Sequence, residues 1–244
     1  MQTITILIPV YNNASTLVFL TESIQNIINK FTDFKISILF ADDSSSDNSL
    51  NLILHLKEKY DNVSVLILSY NHTQQYALYA ALHYIKSDYC IYMSADIQEE
   101  IIIIEKYLNN IINYPDVDLF LGYREQNNDL FIFRFLSKLF YKVIRLKMDS
   151  IPEGGYDSAC ARLKVIDNFI LKFKQKDLIQ SILIQCADSV RLVPYKRQRS
   201  SSEKVQLKSV IFKIKYFIFS LLSVYFDHNK KKKSVYYSVK KYLP

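Results

Sequence analysis

Glycine is the scarcest informative residue here: the 244 residues hold three, and none precedes Gly122. A Gly-x-Gly-x-x-Gly dinucleotide fingerprint and a Gly-rich phosphate loop both need glycines at an early strand-to-helix turn, so both are excluded. Cysteine is equally rare. Cys90, Cys160 and Cys186 are odd in number and far apart, with no Cys-x-x-Cys spacing and no nearby His. That pattern argues against disulfides and structural zinc, and for a reduced, cytoplasmic compartment. Tryptophan is absent, and His55, His72, His83 and His228 have no Glu or Cys at ligand spacing, so surface or packing roles are expected of them. The opening Met-Gln-Thr-Ile-Thr-Ile-Leu-Ile-Pro-Val has no basic residue before its apolar run, and Pro9 breaks that run, so no secretory leader is expected.

Apolar residues, by contrast, make up half the chain, with 19 Tyr and 15 Phe, which is enough for a packed core and too much for a disordered chain. The length suits one α/β domain with an appendage. Charge is divided unevenly. Residues 1–120 carry six Lys and no Arg against 14 carboxylates, whereas residues 190–244 carry 14 Lys and Arg against only Glu203 and Asp227. An acidic front and a basic tail imply an anionic partner for the tail.

Short apolar runs near 3–10, 36–42, 63–69, 89–95 and 117–123 alternate with amphipathic stretches of helical length, which predicts a mostly parallel sheet. The runs Ile4-Thr5-Ile6-Leu7-Ile8 and Ile36-Ser37-Ile38-Leu39-Phe40 are nearly continuous, as strands covered by helices on both faces require. Polar residues gather where the strands end: Tyr11-Asn12-Asn13, Asp42-Asp43 and Asp96. Ligands of doubly wound sheets bind at that edge. The same residues could simply open loops or cap helices, as Ser15 or Asp47 would do. Three acidic or amide clusters on one edge without a Gly-rich loop favour a site that holds base and ribose by side chains and a diphosphate through a metal.

In their order and gaps these segments resemble the family 2 glycosyltransferases of the GT-A fold. The likeness is to the branch of polyprenyl-phosphate sugar synthases and bacterial surface-polysaccharide enzymes. Pro9-Val10-Tyr11-Asn12, Ala41-Asp42-Asp43-Ser44-Ser45-Ser46-Asp47, Asn71-His72-Thr73-Gln74 and Ser94-Ala95-Asp96-Ile97-Gln98-Glu99 follow the family's motifs, as do Gly122-Tyr123-Arg124 and Gly154-Gly155-Tyr156-Asp157. Ser44 and Thr73 stand where the family has Gly, and Ser94 stands where it has the first Asp of its metal segment. The resemblance spans roughly residues 3–226.

By that resemblance Pro9, Tyr11, Asn12, Asp42, Asp43 and Asn71 would bind the donor nucleotide. Asp96, with Gln98, would hold a Mg²⁺ or Mn²⁺ that neutralises the leaving diphosphate. Asp157 would be the base of an inverting transfer, or would position the sugar if the acceptor is already an anionic phosphate. Its alternative role is to cap a helix expected to start near Ala159. Arg124, Arg197, Arg199 and Lys204 would contact diphosphate or acceptor phosphate through their donor-rich heads. The expected activity is that of a metal-dependent hexosyltransferase in lipopolysaccharide or other surface-polysaccharide synthesis. It would use a nucleotide-sugar donor, UDP-sugar first among them, and a lipid-linked or polyprenyl-phosphate acceptor. A catalytically degenerate, membrane-attached scaffold is the alternative that the Ser94 replacement leaves open.

Residues 1–205 are read as the GT-A domain and 206–244 as an amphipathic, Lys-rich helical extension. The apolar run 210–226 would make a helix about 25 Å long, short of the roughly 30 Å hydrocarbon core, and it carries Lys213 and Lys215. Ser209, Lys213, Tyr216, Ser220, Ser223 and Asp227 fall on one stripe of that helix, which suits a segment lying in a membrane interface. Lys230 to Lys233, Tyr236, Tyr237, Lys240 and Lys241 would complete the contact with anionic lipid on the inner face of the cell membrane. An ordinary core helix with a solvated Lys tail is the bland alternative. An exposed apolar helix also favours self-association or lipid over a free monomer. Nucleic acid is not an expected partner, because no recognition motif accompanies the charge.

Overall fold

The computed structural model describes residues 1–95, 101–124, 155–174, 179–195 and 237–244. Four strands in the first part, β1 (Gln2–Val10), β2 (Phe34–Asp42), β3 (Val63–Leu68) and β4 (Tyr89–Tyr92), run parallel in the order β4-β1-β2-β3. They are the first four strands expected from the sequence, and the fifth is β5 (Leu119–Arg124). Three further strands complete the sheet as β7-β5-β6-β4-β1-β2-β3-β8. Of these, β6 (Ser158–Arg162) is antiparallel to both β4 and β5, β7 (Val190–Tyr195) is parallel to β5, and β8 (Val239–Leu243) is antiparallel to β3.

Alternation along the strands builds two cores. Ile4, Ile6, Ile8 and Val10 of β1 face α1 (Leu17–Lys30), α2 (Ser49–Lys59) and α4 (Ile102–Asn113). Leu7, Leu39, Ala41 and Leu66 face the other layer, made of α3 (Gln74–Leu82), α5 (Leu163–Lys172) and α6 (Ile179–Ile184). Helix α1 shows why a helix forms there: Leu17, Leu20, Ile24 and Ile27 recur at steps of three and four and are all buried. Each such side chain contributes about 1.5–3 kcal/mol when taken fully out of water. Helix α3 is different, because its residues Ala77 to Leu82 are buried without a break. It lies between the sheet and a second apolar layer in which Phe169, Phe173 and Tyr237 all touch Tyr79.

Two expectations are corrected. The helix expected near Ala159 is strand β6, and no helix starts there until Leu163. The stretch Ser158-Ala159-Cys160-Ala161 consists of small residues buried between two neighbouring strands, and that tertiary setting overrides the helical preference of alanine. The last residues, expected at a membrane surface, return to the sheet: Tyr237 packs on Tyr79 and His83, Tyr242 lies 4.6 Å from Tyr84 between ring centres, and Lys240 and Lys241 sit on edge strand β8. Lysines on an edge strand discourage pairing with another chain. The run 210–226, Lys230 to Lys233 and Tyr236 lie outside the described residues.

Candidate functional site

The chain reverses its winding at β1: β2 and β3 follow on one side, β4 lies on the other, and a crevice opens at their carboxyl ends. A cavity of about 370 Å³ occupies it, lined by Pro9, Val10, Tyr11, Asn13, Asp43, Asn71, Thr73, Gln74 and Ser94. Four expected residues, Pro9, Tyr11, Asp43 and Asn71, thus share one wall. Asn12 and Asp42, also expected there, stand behind it. Residues that sequence reasoning did not assign to the nucleotide are Val10, Asn13, Thr73, Gln74 and Ser94; only their position in the quoted motifs could have signalled them.

Asp42 and Asp43 are both buried. The Asp43 backbone N–H donates to the Val10 carbonyl at 2.8 Å, continuing the β1–β2 ladder by one residue. Its side-chain Oδ1 accepts the His72 backbone N–H at 2.7 Å, and Oδ2 is buried with no hydrogen-bond partner among the described residues. Burial pushes the Asp43 carboxyl up to about 6, against the opposing pull of the His72 and Thr73 N–H groups. Asp42 is also raised, chiefly by burial; its Oδ2 takes the Ser45 N–H at 3.3 Å while Oδ1 has no partner among the described residues. A buried acceptor aimed along a cavity wall is costly unless something donates to it, and a nucleoside imide or ribose hydroxyl is such a donor.

The loops behind the wall are sewn together by side-chain bonds to backbone. Asn12 Oδ1 accepts from the backbone of Ser46 at 2.9 Å and of Asp47 at 3.3 Å, and Asn13 Oδ1 from Tyr11 at 3.0 Å. Asp47 does serve the start of α2, accepting the Ser49 N–H at 2.9 Å, whereas α1 is preceded by Thr16, not Ser15. The Thr16 hydroxyl lies 2.8 Å from the carbonyl of Ala95, the residue before Asp96. Three non-glycine residues have positive φ: Asn12 at 55°, Ser44 at 61° and Thr73 at 75°. Ser44 and Thr73 are the two positions where glycine was expected, so the chain keeps a glycine backbone without glycine. Thr73, with ψ of 150°, lies in a region that β-branched residues avoid.

Asp157 lies on the same edge, because β6 runs against β4 and so begins where β4 ends. It is half-buried; its N–H donates to the Gly122 carbonyl at 3.1 Å and its Oδ2 accepts the hydroxyl of buried Tyr195 at 2.8 Å. A Cβ at Gly122 would come within 2.5 Å of both Ser158 Oγ and Tyr107 Oη, which are themselves 2.9 Å apart. Gly155, two residues before Asp157, has φ of 73°, a left-handed turn that glycine makes at little cost. Arg124 closes β5 opposite Tyr195. Asp96, Gln98, Arg197, Arg199 and Lys204 lie outside the described residues. Among the described residues no three carboxylate, His or Cys groups converge on a cation site. Ser94 in the cavity wall offers a neutral oxygen beside the segment that carries Asp96. One carboxylate, neutral oxygens and a diphosphate fit Mg²⁺ or Mn²⁺, which commonly takes few protein ligands and fills its octahedron from phosphate and water.

The family model described as Glycosyl transferase family 2 matches residues 5–168. Over 173 residues the chain is 26% identical to CsbB of Bacillus subtilis strain 168, named as a glycosyltransferase; the match covers 70% of this chain and 51% of CsbB. It is 22% identical over 192 residues to the undecaprenyl-phosphate 4-deoxy-4-formamido-L-arabinose transferase of Photorhabdus laumondii, covering 78% of this chain and 54% of that protein. The chain therefore spans about half the length of the curated relatives it matches. Among solved structures, glucosyl-3-phosphoglycerate synthase from Mycobacterium tuberculosis in complex with Mn²⁺, UDP and glucosyl-3-phosphoglycerate superposes with a TM-score of 0.62 at 13% identity, over 91% of this chain and 80% of that one. TarS 1–349 of S. aureus in complex with UDP-GlcNAc gives 0.53 at 15%, over 90% and 66%. At these identities the likeness is one of fold, and the fold is GT-A.

Proposed function

Because the chain belongs to glycosyl transferase family 2, we propose that it moves a sugar, with inversion, from a nucleotide-sugar donor to a lipid-linked acceptor in surface-polysaccharide synthesis. The observation that carries the reading is the cavity at the β1–β4 edge, where Asp43, beside Pro9, Tyr11 and Asn71, presents a buried carboxylate oxygen with no donor among the described residues. Tyr11, half-exposed in that wall, has a ring face for the base. UDP is the favoured nucleotide, since the two solved neighbours described above were captured with UDP and with UDP-GlcNAc. Asp96, with Gln98 and Ser94, would hold the divalent cation, whose contribution when bound is charge neutralisation on the departing diphosphate.

Asp157 is the proposed base or sugar-positioning carboxylate. Tyr195 donates to one of its oxygens, and β6 begins at the same edge where the donor cavity opens. A second reading, in which polyprenyl phosphate itself is the acceptor, is favoured by the undecaprenyl-phosphate named for one relative. In that case the attacking oxygen is already ionised, and Asp157 would position rather than deprotonate.

The expected seat is the inner face of the cell membrane. No helix among the described residues is long and apolar enough to cross a membrane. Topology supports a peripheral seat: β7 ends at Tyr195 and β8 begins at Val239, both on the carboxyl edge but at opposite ends of the eight-strand sheet. The sequence between them holds the 17-residue apolar run and Lys230 to Lys233, and the two strand ends that flank it lie on the side where the cavity opens. A membrane met on that side would bring a lipid-linked acceptor to Asp157.

The test is thermal unfolding with UDP, GDP, dTDP and CMP, with and without Mn²⁺, on the parent and on Asp96→Ala. The reading expects one nucleotide to raise Tm in a metal-dependent way that Asp96→Ala abolishes. No shift with any nucleotide would overturn it in favour of a degenerate scaffold.

A further inference from the structure

We infer that His72 is a positioning residue through which the C-terminal strand holds the candidate donor cavity in shape, an inference that rests on the nucleotide reading of that cavity. His72 is buried between two partners that lie far apart in sequence. Its backbone N–H donates to Asp43 Oδ1 at 2.7 Å, and its ring Nε2 accepts the backbone N–H of Ser238 at 3.2 Å. Ser238, just before β8, is further tied to the end of β3: its carbonyl accepts the Ser69 N–H at 2.9 Å, and the two hydroxyls are 3.0 Å apart. The Tyr70 ring lies 4.0 Å from the imidazole, closing the other side.

This grip falls on the segment that needs one. Asn71 and Thr73 line the cavity on either side of His72, and Thr73 keeps a φ of 75° that its branched side chain resists. Strained backbone persists only where its surroundings over-determine it. Here the determinants are the Asp43 carboxylate from the cavity side and Ser238 from the C-terminal side, with His72 joining them. An acceptor at Nε2 requires the neutral ring with its proton on Nδ1. Burial depresses the His72 pKa and so favours that form. Loss of the Ser238 bond would free the loop, and the carboxylate that holds the loop's N–H would lose its fixed orientation.

The experiment uses the full chain, UDP with Mn²⁺ as the probe, and titration calorimetry beside thermal unfolding. His72→Phe keeps the ring's bulk but removes the acceptor, and should weaken UDP by about five- to tenfold, the equivalent of one lost hydrogen bond. His72→Gln, whose side-chain oxygen reaches as far as Nε2, should bind within about twofold of the parent. Ser238→Pro removes the donor from the other side and should weaken UDP to a similar degree, and the His72→Phe/Ser238→Pro pair should be no weaker than the worse single variant. Amide exchange at Ser69 and His72 should quicken in Ser238→Pro even without nucleotide. Unchanged affinity in His72→Phe, or unchanged exchange in Ser238→Pro, would overturn the inference while leaving the nucleotide site standing. A parent that binds no nucleotide would overturn the site itself.

Discussion

The two halves of the sheet's carboxyl edge, the proposed donor side and the proposed acceptor side, are built by opposite means. On the donor side, β1 to β4 follow one another in parallel, and their loops reach a glycine-like backbone with residues that are not glycine: Asn12, Ser44 and Thr73 all have positive φ, and side-chain bonds hold Asn12 and Thr73. On the acceptor side, the Ser158 and Tyr107 side chains crowd Gly122 of β5 so closely that a Cβ would meet both at 2.5 Å, and Gly155 makes the turn before β6. The contrast teaches where each half tolerates change. The donor loops carry strain that a smaller residue would relieve, whereas the acceptor strands have no slack for a larger one.

The sharpest break of this contrast is Gly122→Ala. The new methyl would lie 2.5 Å from Ser158 Oγ and Tyr107 Oη, both buried and bonded to each other, so neither can swing away without breaking a buried hydrogen bond. Overpacking of this kind costs about 1–3 kcal/mol, and the broken bond about 1 kcal/mol more. A clear fall in Tm by calorimetric or circular-dichroism melting is expected, with Asp157 misplaced by the same movement. A Tm within a degree of the parent would show that the acceptor strands have slack after all.

Asp43→Asn tests the donor side in the reverse sense. The folded Asp43 carboxyl, at about 6, lies above the ordinary carboxylate value of 3.8, so the folded state binds more protons than the unfolded state between those limits. Stability therefore falls as pH rises from about 4 to 6, and the cost is present in full above that window. Asn removes the charge, and should raise stability at pH 7.5 by about 1–2 kcal/mol and flatten the pH 4–6 slope of Tm. The same substitution should weaken UDP by about tenfold or more, because a charged acceptor is lost. A gain in stability with unchanged binding would remove Asp43 from the site.

How far this division was legible in the sequence follows from the same physics. The parallel strands were visible because continuous apolar runs bounded by polar clusters leave little choice of structure, and Asp42-Asp43 after β2 marked the edge. β6 was not visible: Ser158-Ala159-Cys160-Ala161 has no strand-like period, and only the neighbouring strands β4 and β5 decide its form. β8 was hidden for a different reason, since Val239-Lys240-Lys241-Tyr242-Leu243 continues a Lys-rich stretch and reads as solvated tail until Tyr237 and Tyr242 find α3 and Tyr84. Of the cavity wall, Pro9, Tyr11, Asp43 and Asn71 came from ordered motifs. The supporting role of His72 depended on Ser238, 166 residues away, and no local pattern carries a contact of that range.

Tyr195→Phe probes the acceptor side more gently. The phenol donates to Asp157 Oδ2 at 2.8 Å from a buried position, so removing only its oxygen takes one hydrogen bond from the carboxylate and leaves the packing in place. Asp157 would lose a donor that orients it, so kcat should fall by about three- to tenfold with the donor KM little changed. A raised KM with kcat unchanged would mean that the bond supports the shape of the site alone, and unchanged kinetics would place Asp157 outside the chemistry.

Thr73→Gly is the smallest expected effect and separates two meanings of strain. A β-branched residue at φ 75° and ψ 150° costs about 1–3 kcal/mol, while glycine gives back about 0.5–1 kcal/mol through the freedom of its unfolded chain. The net expectation is a stabilisation of about 1 kcal/mol, read as a rise in Tm of several degrees or less. UDP affinity measured on the same variant decides what the strain does. If affinity is kept, Thr73 is an incidental replacement that the His72 and Asn71 bonds tolerate. If affinity falls while stability rises, the side chain of Thr73 is part of the cavity wall in its own right, and the donor half holds a strained residue because the ligand uses it.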